Sequence, residues 1–247
     1  MDALQIQNHD HIILYGKSNC IFIPRTWFLF KSMGHDVDKI HIMQGSLEEW
    51  IEQGGDIDTN PLPYHYVIKD INDASLSSSS LSSTSILWAS DLHLSKVTKY
   101  KANEPIHVCD MSFVLKAVNS NLNSYDIDTL ILDPRGSSFE SKGHIPDSIH
   151  IPYTSLIQPN NTLVLKSKEE LQVIFQNAGV DINTNKSIIC SCGSGVSVCH
   201  LMLALEVCGR VIDYDTEQTN INGGTFMYDG SWAEWGSDPN TPKVIKS

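Results

Sequence analysis

Ser187-Ile188-Ile189-Cys190-Ser191-Cys192-Gly193-Ser194-Gly195-Val196-Ser197 is an apolar run that breaks into a glycine-rich turn, and a second apolar stretch, Val196 to Val207, follows at once and stops at Gly209. A short apolar run ended by a turn predicts a buried strand over Ser187–Cys190, and the longer stretch predicts a helix. Strand, tight turn and helix in this order form the unit of a parallel α/β sheet. The alternation extends outward on both sides. Met111–Asn119 reads as a helix, Thr129–Leu132 and Ser148–Ile151 as strands, Lys168–Ala178 as a helix stopped by Gly179, and Val211–Tyr214 as a further strand. Residues 105–247 therefore read as one complete α/β unit.

Nearer the start, His11–Gly16 and Lys39–Met43 read as strands. Pro24–Met33 and Gln44–Gly54 read as helices, the first with Pro24 in its opening turn and Trp27 and Phe30 on one face. Residues 1–60 then form a partial unit resembling the later half of a domain whose opening is absent. Between the two units, residues 61–104 carry Pro61-Leu62-Pro63 and then eight serines from Ser75 to Ser85, the composition of a linker or surface insertion.

The whole chain has 247 residues, 41% hydrophobic and 19% charged, which suits a soluble folded protein. Lys plus Arg number 17 against 29 Asp plus Glu, a formal charge of −12, which excludes a nonspecific binder of nucleic acid backbone. No apolar run reaches the roughly 20 residues of a membrane span. Met1-Asp2-Ala3 does not open a signal peptide, so the expected address is intracellular, cytoplasmic or mitochondrial. Of six cysteines, Cys190, Cys192, Cys199 and Cys208 fall within nineteen residues, which in a reducing compartment points to thiol or metal chemistry before a disulfide framework.

Cys192 follows the end of a predicted parallel strand, on a loop whose successive N–H groups converge and whose end feeds a helix N-terminus. Such a setting favours an anion on sulfur. A phosphate-binding loop needs Gly-Lys-Ser/Thr after the glycines, and none follows. A cysteine phosphatase needs an arginine six positions after its nucleophile, where Val198 stands. Cys190, Cys192, Cys199 and His200 lack zinc-ligand spacing, and no metal is expected. Cys190, Cys199 and Cys208 read as small buried hydrophobes, and Cys192 as a nucleophile.

Cys192-Gly193-Ser194-Gly195-Val196-Ser197-Val198-Cys199 resembles the active-site loop of two-domain rhodanese-type sulfurtransferases, and its Cys-Gly-Ser-Gly form is similar to that of 3-mercaptopyruvate sulfurtransferases. Asp133-Pro134-Arg135, Gly143-His144-Ile145-Pro146-Asp147-Ser148 and Tyr228-Asp229-Gly230-Ser231-Trp232-Ala233-Glu234-Trp235 resemble further segments of the catalytic domain. Pro24-Arg25-Thr26-Trp27, Gly34-His35 and Gly45-Ser46-Leu47-Glu48-Glu49-Trp50 resemble the noncatalytic one. The resemblance implies a rhodanese-like parallel sheet flanked by helices, needing no cofactor. It implies a persulfide on Cys192, formed from 3-mercaptopyruvate or thiosulfate and passed to a thiol such as thioredoxin or glutathione, or to cyanide. It gives Ser194 a role in proton transfer or as a turn former, and Gly193, Gly195, Val196 and Ser197 a role in holding the donor.

Arg135 matches one of the family's donor-binding arginines, with a structural ion pair as the alternative role. The following segment, Gly136-Ser137-Ser138-Phe139-Glu140-Ser141-Lys142, lacks the further arginines. That absence supports an alternative, a catalytically impaired rhodanese-like binding or sulfur-carrier module. His144 is expected to hold the Ile145-Pro146 turn, and Trp232 and Trp235 either to line the pocket or to pack the C-terminal tail. The neutral Gly193-Ser194-Gly195 favours a monoanionic organic donor over thiosulfate.

Overall fold

The computed structural model describes residues 6–59, 100–102, 107–123, 129–159, 161–210 and 223–245. The serine-rich stretch and the strand expected over Val211–Tyr214 lie outside the described residues. In chain order the elements of the first segment are β1 (Ile12–Leu14), α1 (Ile23–Ser32), β2 (Ile40–Ile42) and α2 (Leu47–Glu52). Those of the second are β3 (Val108–Cys109), α3 (Met111–Asn123), β4 (Thr129–Asp133), α4 (Ser138–Ser141), β5 (Ser148–His150), α5 (Tyr153–Leu156), β6 (Ile157–Gln158) and β7 (Asn161–Leu165). They are followed by α6 (Lys168–Asn177), β8 (Ser187–Cys190), α7 (Val198–Val207), β9 (Thr225–Tyr228) and α8 (Ser231–Trp235).

The second segment forms a five-stranded sheet in the order β3-β9-β8-β4-β5, every pairing parallel. β8 is its central strand and is buried along its whole length, the physical reason it is apolar from Ile188 to Cys190 after the buried Ser187. Its side chains alternate between the two faces: Ile188 and Cys190 enter one apolar cluster and Ile189 the other, with Val118, Ile145, Tyr228 and Trp235. In the first segment β1 pairs with β2 in parallel, Ile12 opposite Ile40. The two segments do not keep separate cores among the described residues. Trp27, Phe28 and Phe30 of α1 belong to the same buried cluster as Val198, Leu201 and Met202 of α7.

The helices begin and end for local reasons. Ser46 and Ser167 each cap a helix, and Glu49 and Glu170 return the hydrogen bond in full capping boxes. α2 therefore begins at Leu47, later than the expected Gln44. Likewise α7 begins at Val198 and not Val196: the Cys199 and His200 amides turn back on the Val196 and Ser197 carbonyls, which leaves those two residues to the loop. α7 ends at Gly209, whose φ of +94° is open to glycine. The short α4 and α5 and the antiparallel β6–β7 pair carry no periodic signal and were not legible in the sequence. β9 lies just where Tyr228 opens a motif noted above only for its resemblance. Of the stretch expected as a linker, residues 100–102 pack on the first segment, Tyr100 stacking on His35 and the Lys101 amide donating to Asn8 Oδ1 at 2.8 Å. No helix among the described residues is long and apolar enough to cross a membrane.

Candidate active site

Parallel strands share a direction, so their carboxyl ends gather along one edge of the sheet. β4 ends there at Asp133 and β9 at Tyr228, and Cys192 stands just beyond the end of β8. The thiol is buried, with 1% of the residue exposed. The Cys192 amide donates to Ser231 Oγ at 3.2 Å, and that hydroxyl, which donates to the Tyr228 carbonyl at 2.9 Å, lies 3.9 Å from Cys192 Sγ. Ser231 holds a left-handed backbone, φ +53°, uncommon for a residue with a side chain.

The loop's carbonyls are held from outside. The Trp232 amide donates to the Cys192 carbonyl and the Ala233 amide to the Gly193 carbonyl, each at 2.9 Å. Arg25 Nη1 donates to the Gly195 carbonyl at 3.1 Å, joined by the Cys199 thiol at 3.6 Å. Across a trans peptide the C=O and the next N–H point in opposite directions. Holding these carbonyls therefore turns the amides of Gly193, Ser194 and Val196 the other way. Among the described residues no acceptor takes the N–H of Gly193, Ser194, Gly195, Val196 or Ser197. Unspent amides in succession, running into α7, are the kind of donor set that can hold an anion.

Gly195 has to be glycine: φ is +79°, and a Cβ there would lie 2.5 Å from Asp229 Oδ1. That carboxylate is paired with Arg25 Nη1 at 2.7 Å. Burial opposes the charge on Arg25, but hydrogen bonding and charge from Asp229 outweigh it and raise the guanidinium's pKa. Burial raises the pKa of Cys190, and that of Cys199 to about 12, so both remain neutral thiols packed in the core, the role expected of them.

Ser194 is exposed, and its hydroxyl makes no hydrogen bond among the described residues. Of the two roles expected of Arg135, the geometry corrects the donor contact in favour of the structural ion pair: the side chain is buried, Nε meets both oxygens of Asp133, and Nη2 is shared between Asp133 Oδ2 at 2.8 Å and the Gly143 carbonyl at 2.9 Å. With those donors spent, Arg135 supports the loop from below, its Cδ 3.8 Å from where a Cβ on Gly193 would be. His144 sits where a turn-holding residue should, Nδ1 3.0 Å from the Ile145 carbonyl and 3.2 Å from Ser148 Oγ. Trp235 is buried and donates to the Pro242 carbonyl, packing the tail, while the Trp232 ring lies 5.0 Å from the Arg135 guanidinium. Cys199 faces Arg25 and Met227 and His200 faces Tyr153, and no group of three ligand-type residues among the described residues is placed to hold a metal ion.

Sequence reasoning missed three residues here: Arg25, Asp229 and Ser231. Each lies in a segment quoted above for its resemblance alone. A cation in the first turn of a helix rich in aromatic residues, and a serine after Asp-Gly, were the only local signals.

Residues 114–238 match the rhodanese-like domain family. The chain is 28% identical over 251 residues to thiosulfate/3-mercaptopyruvate sulfurtransferase 2 of Arabidopsis thaliana, covering 99% of this chain and 65% of that protein. It is 27% identical over 242 residues to 3-mercaptopyruvate sulfurtransferase of Escherichia coli (strain K12), covering 98% of this chain and 70% of that one. The crystal structure of the 3-mercaptopyruvate sulfotransferase SseA from Escherichia coli superposes with a TM-score of 0.61 at 24% identity, over 93% of this chain and 70% of that one, a likeness of fold. The chain thus spans about two thirds of the length of these relatives.

Proposed function

The chain belongs to the rhodanese-like domain family, and from that membership and the loop geometry we propose that it is a sulfurtransferase with Cys192 as its nucleophile. The reading is carried by one observation: the run of amides from Gly193 to Ser197, unspent among the described residues, beside a thiol at the carboxyl end of the central strand. In the first half-reaction the Cys192 thiolate attacks the sulfur of 3-mercaptopyruvate. The C–S bond breaks, its electron pair leaves with the methylene carbon as the enolate of pyruvate, and that carbon takes up a proton. With thiosulfate the S–S bond breaks and sulfite leaves. In the second half-reaction a thiol or cyanide attacks the outer sulfur of the persulfide and the thiolate is regained. Splitting one transfer in two is covalent catalysis, and the amides of Gly193, Ser194 and Val196 stabilise the anion in both halves.

The loop amides are neutral donors, which supports a monoanionic organic donor over the thiosulfate dianion. Ser231, whose hydroxyl lies 3.9 Å from the sulfur, is better placed than the exposed Ser194 to steady the thiol. The test is donor-dependent thiocyanate formation in cyanide with each donor. We expect turnover with a higher kcat/KM for 3-mercaptopyruvate, and none in Cys192→Ser. A preference for thiosulfate overturns the donor assignment. Absence of turnover with either donor leaves the binding or carrier module as the reading.

A further inference from the structure

Three loop carbonyls are held from outside, but not by the same kind of partner. Cys192 and Gly193 are held by backbone amides at the start of α8, part of the same unit. Gly195 is held by a charged side chain 170 residues away in sequence, on α1 of the first segment. That helix is pinned to α7 along its length. Trp27 and Phe28 sit in the shared core, and Lys31 near its far end pairs with Glu206 of α7. Arg25 is therefore delivered by a fixed element and not by a mobile loop. The same Nη1 also takes Asp229 Oδ1, the carboxylate oxygen that abuts Gly195. Left unpaired, this carboxylate would set a negative charge against a loop whose amides gather to attract one.

We propose that Arg25 is a positioning residue that sets the anion-attracting field around Cys192, by holding the Gly195 carbonyl outward so that the Val196 amide turns inward and by cancelling the charge of Asp229. It acts through the loop and not on the donor. The effect on turnover rests on the sulfurtransferase reading, whereas the field is a property of the loop and can be measured without sulfur transfer. The Arg25 side chain is 23% and the Asp229 side chain 48% exposed, so the ion pair alone is worth little. The larger share comes from the peptide orientation that the charged donor enforces.

The experiment compares alkylation of Cys192 in the full chain by iodoacetate and by iodoacetamide, resolved by mass spectrometry of the Cys192 peptide. The reagents differ in charge and hardly in size, so the burial of the thiol cancels in the ratio of their rates. We expect Arg25→Ala to lower the iodoacetate-to-iodoacetamide ratio about tenfold at low ionic strength, and Arg25→Ala/Asp229→Asn to regain part of the loss. An unchanged ratio in Arg25→Ala overturns the proposal, and no recovery in the double variant overturns its charge-cancelling half. Should Arg25→Ala not fold, Asp229→Asn decides: it removes the carboxylate and leaves Arg25 on Gly195, so the ratio should hold or rise, and a fall overturns the proposal. If the wild-type chain transfers no sulfur while the ratio responds as expected, the proposed function fails and the role of Arg25 stands. Transfer with an unresponsive ratio has the opposite meaning.

Discussion

Two loops in this molecule follow a parallel strand, hold a cysteine and lead into a helix of the shared core: Gly16–Phe22 after β1, and Cys192–Ser197 after β8. They spend their backbones in opposite ways. In the first, the Ser18 amide and hydroxyl both donate to Glu48 Oε2, and the Cys20 amide donates to the Lys17 carbonyl. A carboxylate of the chain already occupies the place an anion would take, and the Ser18 amide lowers the pKa of Glu48 accordingly. In the second, the carbonyls are engaged from outside and the amides are left free among the described residues. A strand, a turn and a cysteine do not make an anion site. What makes one is a set of donors on the far side of the loop that frees the amides to face inward.

The widest gap between the loops should appear in sulfur transfer itself. Cys192→Ser removes the covalent route and should lower kcat/KM more than about a thousandfold, while Cys20→Ser should leave it unchanged. A substantial loss in the second variant would break the contrast.

The helices that follow the loops differ in their buried ionisable groups. Lys31 on α1 has its pKa lowered by burial but keeps Glu206 as a partner, whereas His200 on α7 is fully buried and faces Tyr153. Burial pushes the His200 pKa down from 6.5 to about 4. Above the unfolded value both states are neutral there. Below it the unfolded chain binds a proton that the folded chain refuses, so stability falls from about pH 6.5 to about pH 4 and then levels. At 1.36 kcal/mol per unit the whole fall is about 3 kcal/mol. Urea denaturation of His200→Phe at pH 7 and 4.5 should show a shallower pH dependence than wild type; an equal slope would mean that other groups carry it.

Glycine is required to a different degree in the two turns. At Gly195 an added Cβ meets both a positive φ and the Asp229 carboxylate, while at Gly16 it meets the Cys20 side chain at 3.1 Å. Gly195→Ala should cost about 2 kcal/mol, seen as a drop in Tm of about 5 °C, and should impair transfer. Gly16→Ala should cost less and leave transfer intact. Ser231→Gly should impair transfer less than Gly195→Ala. It relieves the left-handed backbone but removes the acceptor of the Cys192 amide, so we expect kcat/KM to fall about fivefold, or about 1 kcal/mol, with little change in stability. A larger loss in Ser231→Gly than in Gly195→Ala would place the hydroxyl, and not the loop amides, at the centre of the chemistry.

By itself the sequence determined the central unit of this protein. Ser187–Cys190 is buried at every position, and apolar from Ile188 on, because both faces of β8 are covered, the glycines mark the turn, and Val198–Val207 runs as a helix to Gly209. Each of these is a local preference written in neighbouring residues. The same locality singled out Cys192 among six cysteines as the one at the strand-to-helix turn, the residue we propose as nucleophile. Tertiary structure alone decided which groups hold the loop open. Arg25 and Gly195 are 170 residues apart and Cys192 and Ser231 39 apart, and no periodicity or turn signal links such pairs. It also decided that Arg135 should be spent on Asp133 and Gly143, because a cation in the sequence carries no mark of whether folding will bury it against a carboxylate or leave it to meet a ligand.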